Sequence, residues 1–456
     1  TPTTTMCEAA AAGGGGGGGA LYLSSGPSGA GKDTLLLGAR ADLRTEEDES
    51  VSFMQRHITR DPSKCTDLEI PVSLNEFNAM EANGDFAFAW DAHGTRYALN
   101  KATLEGSLRA KKRMVANVSR SIVDDARRRY GDEHEVYVLL ITADDAALEE
   151  RLLGRGRETR EEVSARVARA KMMEPKGEHV VKINNMGSVN TGVELVKKAL
   201  QGDLKYSLWL APSQSSPEYG RLQTRIRAMA VEHGTIPFEP HLTLCPSFSG
   251  TQTEAIRLAR QVAGELPTSL RIRHTAVSNS DYKFRCVTAD AELTEELTYA
   301  AATATGIVHG GGGVGGDKWE WRAEGAGSGI VNVDPDGALT LMAEAYKPHT
   351  SVLYGELSDA DRAKAAAAVA GANGAANLNW EASDLVLMMT TGNEHQCWVE
   401  VARAPLGMSW TSVEQSPGLG FLKSQPGSVL ATTTATCDQG GCCAASDRRS
   451  RSRHGR

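Results

Sequence analysis

Leu21-Tyr22-Leu23-Ser24, followed by Gly26-Pro27-Ser28-Gly29-Ala30-Gly31-Lys32-Asp33-Thr34, decides the fold of the N-terminal half. A short apolar run that breaks at glycines and opens into a helical stretch, Asp33 to Ala41, is a strand–loop–helix unit. Glycines let backbone N–H groups turn inward on phosphate oxygens. The helix N-terminus adds a favourable dipole, and Lys32 can reach the β- and γ-phosphates. Residues 26–34 are therefore the expected nucleotide-binding loop, with ATP as donor and Lys32 as the catalytic cation. Where Ser or Thr normally follows the lysine stands Asp33. A carboxylate can still serve Mg2+, directly or through water, because the ion prefers oxygen ligands. Thr34 offers a hydroxyl next door, and no strand ends in an obvious acidic residue, so Asp33 and Thr34 are the expected metal ligands.

Outward from the loop, Met114 to Val118 and Val136 to Thr142 read as further buried strands, being short and rich in β-branched residues. Helical stretches at Ser121 to Tyr130, Ala146 to Leu153 and Arg160 to Met173 lie between and after them. Strands alternating with helices imply an α/β domain, a mainly parallel sheet covered on both faces, over residues 20–202. Arg56-His57-Ile58-Thr59-Arg60-Asp61-Pro62 places two arginines, Arg56 and Arg60, where they can clamp an anionic acceptor. Arg151, Arg155 and Arg157 surround Gly154 and Gly156, with Arg166 following on a helix, which suits a lid closing on the transferring phosphoryl group. Each cluster alone reads as solvated charge. Their order behind a phosphate loop favours the functional reading.

A second unit, residues 203–406, opens with the strand Tyr206-Ser207-Leu208-Trp209-Leu210. Its strands read as antiparallel and its helices as few, an α+β pattern. Gly306 to Gly329 reads as an inserted glycine-rich loop. Two runs mirror each other: Pro240-His241-Leu242-Thr243-Leu244 and Pro348-His349-Thr350-Ser351-Val352. In a strand, His and a hydroxyl residue two apart point to the same face. Side by side in a cleft, one imidazole can act as base on water and the other as acid on a leaving oxygen. Thr243 and Ser351 can hold non-bridging phosphate oxygens. This chemistry asks for no metal, so no cofactor is expected there. A single His-x-Thr is an ordinary strand; two copies with matched proline and apolar flanks are not.

The 456 residues carry 41% hydrophobic and 23% charged side chains, the proportions of a soluble globular protein. No apolar run approaches the roughly 20 residues of a membrane-spanning helix, so no membrane partner is expected. A net charge of −8 argues against a general nucleic-acid binder. ATP and small sugar phosphates are the expected partners. Residues 1–19, ending in glycines, and residues 407–456, ending in a basic run, read as disordered tails with no signal peptide. The expected location is the cytoplasm, with an organelle left open. Eight scattered cysteines read as free thiols.

Residues 20 to 200 resemble the guanylate kinase-like group, and most closely the ribose 1,5-bisphosphate phosphokinases. The runs that carry this are Gly26 to Asp33, Arg56 to Asp61, Phe88-Ala89-Trp90-Asp91-Ala92-His93-Gly94, Val115-Ala116-Asn117-Val118-Ser119-Arg120 and Arg155-Gly156-Arg157-Glu158. The resemblance implies ATP-dependent formation of 5-phosphoribosyl 1-diphosphate. Lys32-Asp33 favours it over guanylate kinase, as does the loss of guanine-reading residues: no tyrosine stands near Glu69, and Phe88 or Ala89 replaces an acid. Guanylate kinase activity is the alternative. Residues 205 to 405 are similar to the 2H phosphoesterases, in their cyclic phosphodiesterase branch. That likeness implies a two-lobed fold and places Tyr354, in Pro348-His349-Thr350-Ser351-Val352-Leu353-Tyr354-Gly355, near the substrate. Taken together the two resemblances imply 5-phosphoribosyl 1,2-cyclic phosphate as the cyclic substrate. ADP-ribose 1″,2″-cyclic phosphate and an RNA-end cyclic phosphate stay open as alternatives.

Overall fold

The computed structural model describes residues 19–92, 94–154, 156, 159–172, 174–177, 179–309, 319–323, 326–331, 346–371 and 374–408. Both expected tails lie outside these residues, apart from Gly19, Gly407 and Met408. In the first half, β1 (Ala20–Ser25) leads through the phosphate loop to α1 (Lys32–Thr45), followed by β2 (Val51–Phe53) and β3 (Arg56–Ile58). Next come β4 (Glu69–Pro71), α2 (Leu74–Ala82), β5 (Phe86–Ala92), β6 (Thr95–Asn100), α3 (Lys101–Arg109) and β7 (Arg113–Asn117). The half closes with α4 (Val123–Tyr130), β8 (Glu135–Thr142), α5 (Asp145–Leu153), α6 (Arg160–Met172), β9 (Val180–Asn184) and α7 (Val189–Gln201).

The central sheet has the order β2-β7-β1-β8-β9, and all its pairings are parallel. Alternation along β1 explains why both faces are covered. Leu21 and Leu23 pack with Leu104, Leu108 and Val123 on one side, whereas Tyr22 belongs with Leu35, Leu36 and Val196 on the other. A second sheet, β4-β3-β6-β5, stands apart and carries the arginine run. Its strands are too short and mixed in polarity to stand out in the sequence.

The second half begins at β10 (Leu204–Ala211), directly after Gly202 ends α7 with φ +72°. It continues with α8 (Pro217–Glu232), β11 (Leu242–Gly250), α9 (Gln252–Glu265), β12 (Leu270–Ile272), β13 (His274–Asn279), β14 (Val287–Ala291) and α10 (Glu295–Val308). After β15 (Trp319–Ala323) and β16 (Ala326–Val331) come β17 (His349–Leu353), the helix Asp359–Ala370, β18 (Trp380–Ala382), β19 (Asp384–Met389) and β20 (Val399–Pro405). The main sheet runs β13-β14-β17-β11-β10-β19-β20, antiparallel throughout. The α+β class is as expected, but the helices are not few. Four of 12 to 16 residues cover the sheet, each opened by a Ser or Thr N-cap: Ser216, Thr251, Thr294 and Ser358. Part of the expected Gly306–Gly329 loop is also regular. Its start completes α10, β15 and β16 form a hairpin, and the remainder lies outside the described residues.

The two halves share one apolar core. Leu195, Val196, Ala199 and Leu200 of α7 belong to the same cluster as Tyr206, Leu208 and Leu210 of β10. Polar ties cross as well: Gln252 Nε2 donates to the Val180 carbonyl at 2.8 Å, and Asn184 Nδ2 to that of Gln396 at 2.8 Å. Among the described residues no helix is long and apolar enough to cross a membrane. Among the described residues the four cysteines Cys65, Cys245, Cys286 and Cys397 are free thiols.

Candidate active sites

The phosphate loop has the geometry its glycines require. Gly26, Gly29 and Gly31 take φ of +141°, +89° and +88°, a region L side chains rarely enter. At Gly26 a Cβ would also lie 2.0 Å from the Ile141 carbonyl oxygen, and at Gly31 it would lie 2.6 Å from Asn185 Nδ2. Lys32 Nζ donates to the carbonyls of Gly26 and Pro27, at 2.9 and 2.8 Å, so the ammonium lies against the loop. Asp33, in the first turn of α1, accepts on Oδ1 from Asn117 Nδ2 at 2.6 Å, with Arg56 Nη2 3.5 Å away. Its side chain is half exposed, and Oδ2 has no hydrogen bond among the described residues, so one carboxylate oxygen is open to a hard cation. Thr34 is exposed, about 100° further round the helix than Asp33.

Arg56 and Arg60 come together on a third residue that spacing did not reveal. Glu69, buried at the start of β4, holds Arg56 at 2.9 Å and Arg60 at 3.5 Å, and accepts the Thr66 N–H on its other oxygen at 3.0 Å. Arg60 Nη2 also reaches the Tyr97 hydroxyl at 2.8 Å, and both guanidinium carbons lie over the Tyr97 ring, at 5.5 and 5.9 Å. Tyr97 in turn stacks on Trp90, with 5.6 Å between centroids. Arg56 is buried while Arg60 is one-third exposed, so Arg60 is the arginine that faces outward. Of the lid residues, Arg151 lies in α5 and donates to the Asn185 carbonyl at 3.0 Å, while Arg166 is half-buried in α6. Arg155 and Arg157 lie outside the described residues.

In the second half the two histidine runs are neighbours. Leu242 of β11 pairs with Thr350 of β17. Both are buried on one face, so His241, Thr243, His349 and Ser351 share the other, with His241 across from Ser351 and Thr243 across from His349. His241 precedes the first residue of β11, and His349 is the first of β17. His241 Nδ1 lies 2.6 Å from the Glu239 carbonyl and His349 Nδ1 3.0 Å from that of Lys347. A carbonyl can only accept, so each Nδ1 carries the proton and each Nε2 presents a lone pair. The Tyr354 hydroxyl lies 3.3 Å from His241 Nε2. Ser351 Oγ donates to the Phe284 carbonyl at 3.1 Å.

Burial pushes both imidazoles down to about 4. For His241 the charge of His349 adds to the effect and the Glu239 carbonyl opposes it. For His349 the nearby Arg285 adds to it, while the Lys347 carbonyl and Asp290 oppose it. Burial raises the Tyr354 phenol, so it remains a hydrogen-bond donor. Aromatic residues complete the cleft. Trp209 stacks on His241 with centroids 3.6 Å apart, Phe238 stacks on Tyr354 at 3.7 Å, and Phe284 approaches Tyr354 at 5.4 Å. Trp209 lay in the quoted first strand, but only pairing Trp209 with Thr243 across β10 and β11 brings it to the imidazole.

Comparison with known proteins agrees with this division. The family described as cyclic phosphodiesterase-like protein matches residues 204–399. Over 167 residues the chain is 40% identical to ribose 1,5-bisphosphate phosphokinase PhnN of Rhodopseudomonas palustris, covering 37% of this chain and 80% of that protein. The chain belongs to the ribose 1,5-bisphosphate phosphokinase family. Among solved structures, guanylate kinase from Anaplasma phagocytophilum aligns with 41% of this chain and 86% of its own, at 15% identity and a TM-score of 0.30. E. coli LigT complexed with phosphate aligns with 45% of this chain and 99% of its own, at 12% identity and a TM-score of 0.26. The phosphokinase half thus carries the glycine loop, and the cyclic phosphodiesterase-like half carries the paired histidines.

Proposed function

We propose that the chain is a bifunctional enzyme. Its N-terminal half phosphorylates ribose 1,5-bisphosphate with ATP to give 5-phosphoribosyl 1-diphosphate. Its C-terminal half hydrolyses a sugar cyclic phosphate, 5-phosphoribosyl 1,2-cyclic phosphate, to ribose 1,5-bisphosphate. The observation that carries the second activity is the cross-strand placement of His241 and His349, each with Nδ1 held by a backbone carbonyl, in a chain of the phosphokinase family.

In the kinase half, the backbone N–H groups of the glycine loop other than Pro27 receive the triphosphate, and Lys32 exchanges its two loop carbonyls for phosphate oxygens. Asp33 would hold Mg2+ through its open oxygen, and the ion would supply positive charge against the triphosphate. Asn117 and Arg56 hold that carboxylate in place. Arg60, anchored by Glu69 and Tyr97, faces the acceptor's phosphate. Arg151, Arg155, Arg157 and Arg166 supply charge around the transferring group.

In the hydrolase half, His241 is the base and His349 the acid. Protonation at His241 would bury a charge against Trp209 and break its bond with Tyr354, whereas His349 is less buried and has Asp290 beside it. His241 Nε2 takes a proton from water as the water oxygen bonds to phosphorus. The bond from phosphorus to O2 breaks, and protonated His349 gives O2 its proton, leaving the phosphate on O1. Thr243 holds a non-bridging oxygen through its hydroxyl, whereas the Ser351 hydroxyl, spent on the Phe284 carbonyl, positions the turn around Phe284 instead. No cofactor enters this scheme. ADP release measured with ribose 1,5-bisphosphate and with GMP tests the kinase assignment. Faster turnover of the bisphosphate supports it, and faster turnover of GMP makes the half a guanylate kinase.

A further inference from the structure

Between β13 and β14 the chain reads Tyr282-Lys283-Phe284-Arg285, aromatic and basic residues in strict alternation. Lys283–Arg285 form a single 3-10 turn. Two bonds fasten it to the strand that carries His349 and to the residues just after. Ser351 Oγ donates to the Phe284 carbonyl at 3.1 Å, and the Gly355 N–H donates to the Lys283 carbonyl at 2.9 Å. The backbone of this turn is therefore fixed relative to the paired histidines. Phe284 enters the aromatic wall, 5.4 Å from Tyr354 and 5.0 Å from Trp398. The two cations flank Phe284 in the chain. The charge of Arg285 acts on His349 and Tyr354, and that of Lys283 acts on His395 and Glu394. Arg285 is exposed, Lys283 Nζ lies 5.8 Å over the Phe284 ring, and among the described residues neither makes an ion pair.

We infer that Lys283 and Arg285 form a second anion subsite at the mouth of the histidine cleft, which binds a phosphomonoester carried by the substrate apart from its cyclic phosphate. The inference rests on the hydrolase reading above and names the class of substrate that site selects. Exposed cations on a surface turn are ordinarily just solvated. Here the turn is tied to the catalytic strand, and its guanidinium acts on the very imidazole that must carry the proton given to the leaving oxygen. A like charge beside His349 opposes formation of the imidazolium. A dianionic phosphate on Arg285 cancels that opposition, and its planar fork suits phosphate oxygens. A substrate with a second phosphate therefore gains both binding energy and a better acid, whereas a bare cyclic phosphate meets an uncompensated cation.

The test is steady-state hydrolysis by the full chain and its Arg285→Met, Lys283→Met and Arg285→Lys variants. Two probes are compared, 5-phosphoribosyl 1,2-cyclic phosphate and ribose 1,2-cyclic phosphate, and the readout is their ratio of kcat/KM. The wild type should favour the 5-phosphorylated probe. Either methionine variant should cut that ratio by about 10- to 100-fold, the scale of one charge-assisted contact, and Arg285→Lys should restore part of it. A wild-type ratio near one, or a ratio unmoved by both methionine variants, overturns the subsite. If neither ribose compound is opened but 2′,3′-cyclic adenosine phosphate is, the sugar reading has failed. The same ratio is then read on that nucleotide with and without a 5′-phosphate, where a preference that collapses in the variants upholds the subsite and no preference overturns it.

Discussion

Asn185 Nδ2 donates to the Ala30 carbonyl at 2.8 Å, so the crown of the phosphate loop is pinned by the residue that follows β9. The same amide would collide with any side chain at position 31. Its neighbour Asn184 reaches in the opposite sense, to the Gln396 carbonyl of the hydrolase half. Replacing Asn185 with Ala leaves a buried loop carbonyl without its donor. The expected results are a loss of about 1–3 kcal/mol in stability and a raised KM for ATP. Gly31→Ala should cost more activity, because it adds backbone strain at φ +88°. Thermal melts and ATP titrations of the two variants check both expectations. An Asn185→Ala protein with unchanged KM would mean the loop keeps its shape unaided.

Asp33→Asn removes the charge offered to Mg2+ while preserving the bond from Asn117. The magnesium concentration for half-maximal kinase rate should rise. The fold should lose little, because Arg56 keeps Glu69 and the Tyr97 ring and the neutral side chain still accepts from Asn117. A magnesium titration that superimposes on the wild type would remove Asp33 from the metal site.

His241→Ala and His349→Ala should each lower cyclic phosphate hydrolysis by about 10²–10⁴-fold, the usual worth of a general acid or base. The base limb of the reaction has an unusual position. With His241 and His349 both held down to about 4, the acid-side fall of kcat/KM through His241 and the alkaline fall through His349 should both come near pH 4, where unperturbed imidazoles would place them near 6.5. An acid-side fall centred near 6.5 would show that His241 is not the buried base.

Three buried histidines also bear on stability. His241, His274 and His349 are all lowered from 6.5 to about 4 in the fold, chiefly by burial. Between these values the unfolded chain binds more protons than the folded one, so stability is full above pH 6.5 and falls as pH drops toward 4. Each histidine contributes a slope of up to about 1.4 kcal/mol per pH unit. Urea unfolding at stepped pH measures this. His274→Gln, which removes one imidazole that lies 2.9 Å from Thr350 Oγ1 rather than in the cleft, should flatten the slope.

What could be read from the sequence was what is local in it. Strand, loop and helix around Lys32 are contiguous, and the two histidine runs announce themselves by repetition; their pairing through Leu242 and Thr350 followed the expected arrangement. Glu69 could not be found this way, because its link to Arg56 and Arg60 depends on β3 and β4 lying parallel across a non-repeating stretch. The same holds for Trp209 against His241, and for Glu394, which accepts from the Ser188 N–H and the Thr191 hydroxyl across the two halves. The helices of the second half carry a readable signal, since each of the four starts on a Ser or Thr cap, but alternating apolar runs nearby obscure it.

The most direct test of the two-site account is phosphorus NMR of the full chain with 5-phosphoribosyl 1,2-cyclic phosphate, ATP and Mg2+, followed in time beside Lys32→Ala. The wild type should convert the cyclic phosphate to ribose 1,5-bisphosphate and then to 5-phosphoribosyl 1-diphosphate, with one ADP formed per diphosphate. Lys32→Ala should stop at ribose 1,5-bisphosphate, with ATP intact. A cyclic phosphate that persists unopened in both samples, or a folded Lys32→Ala protein that loses ring opening together with phosphoryl transfer, would contradict it.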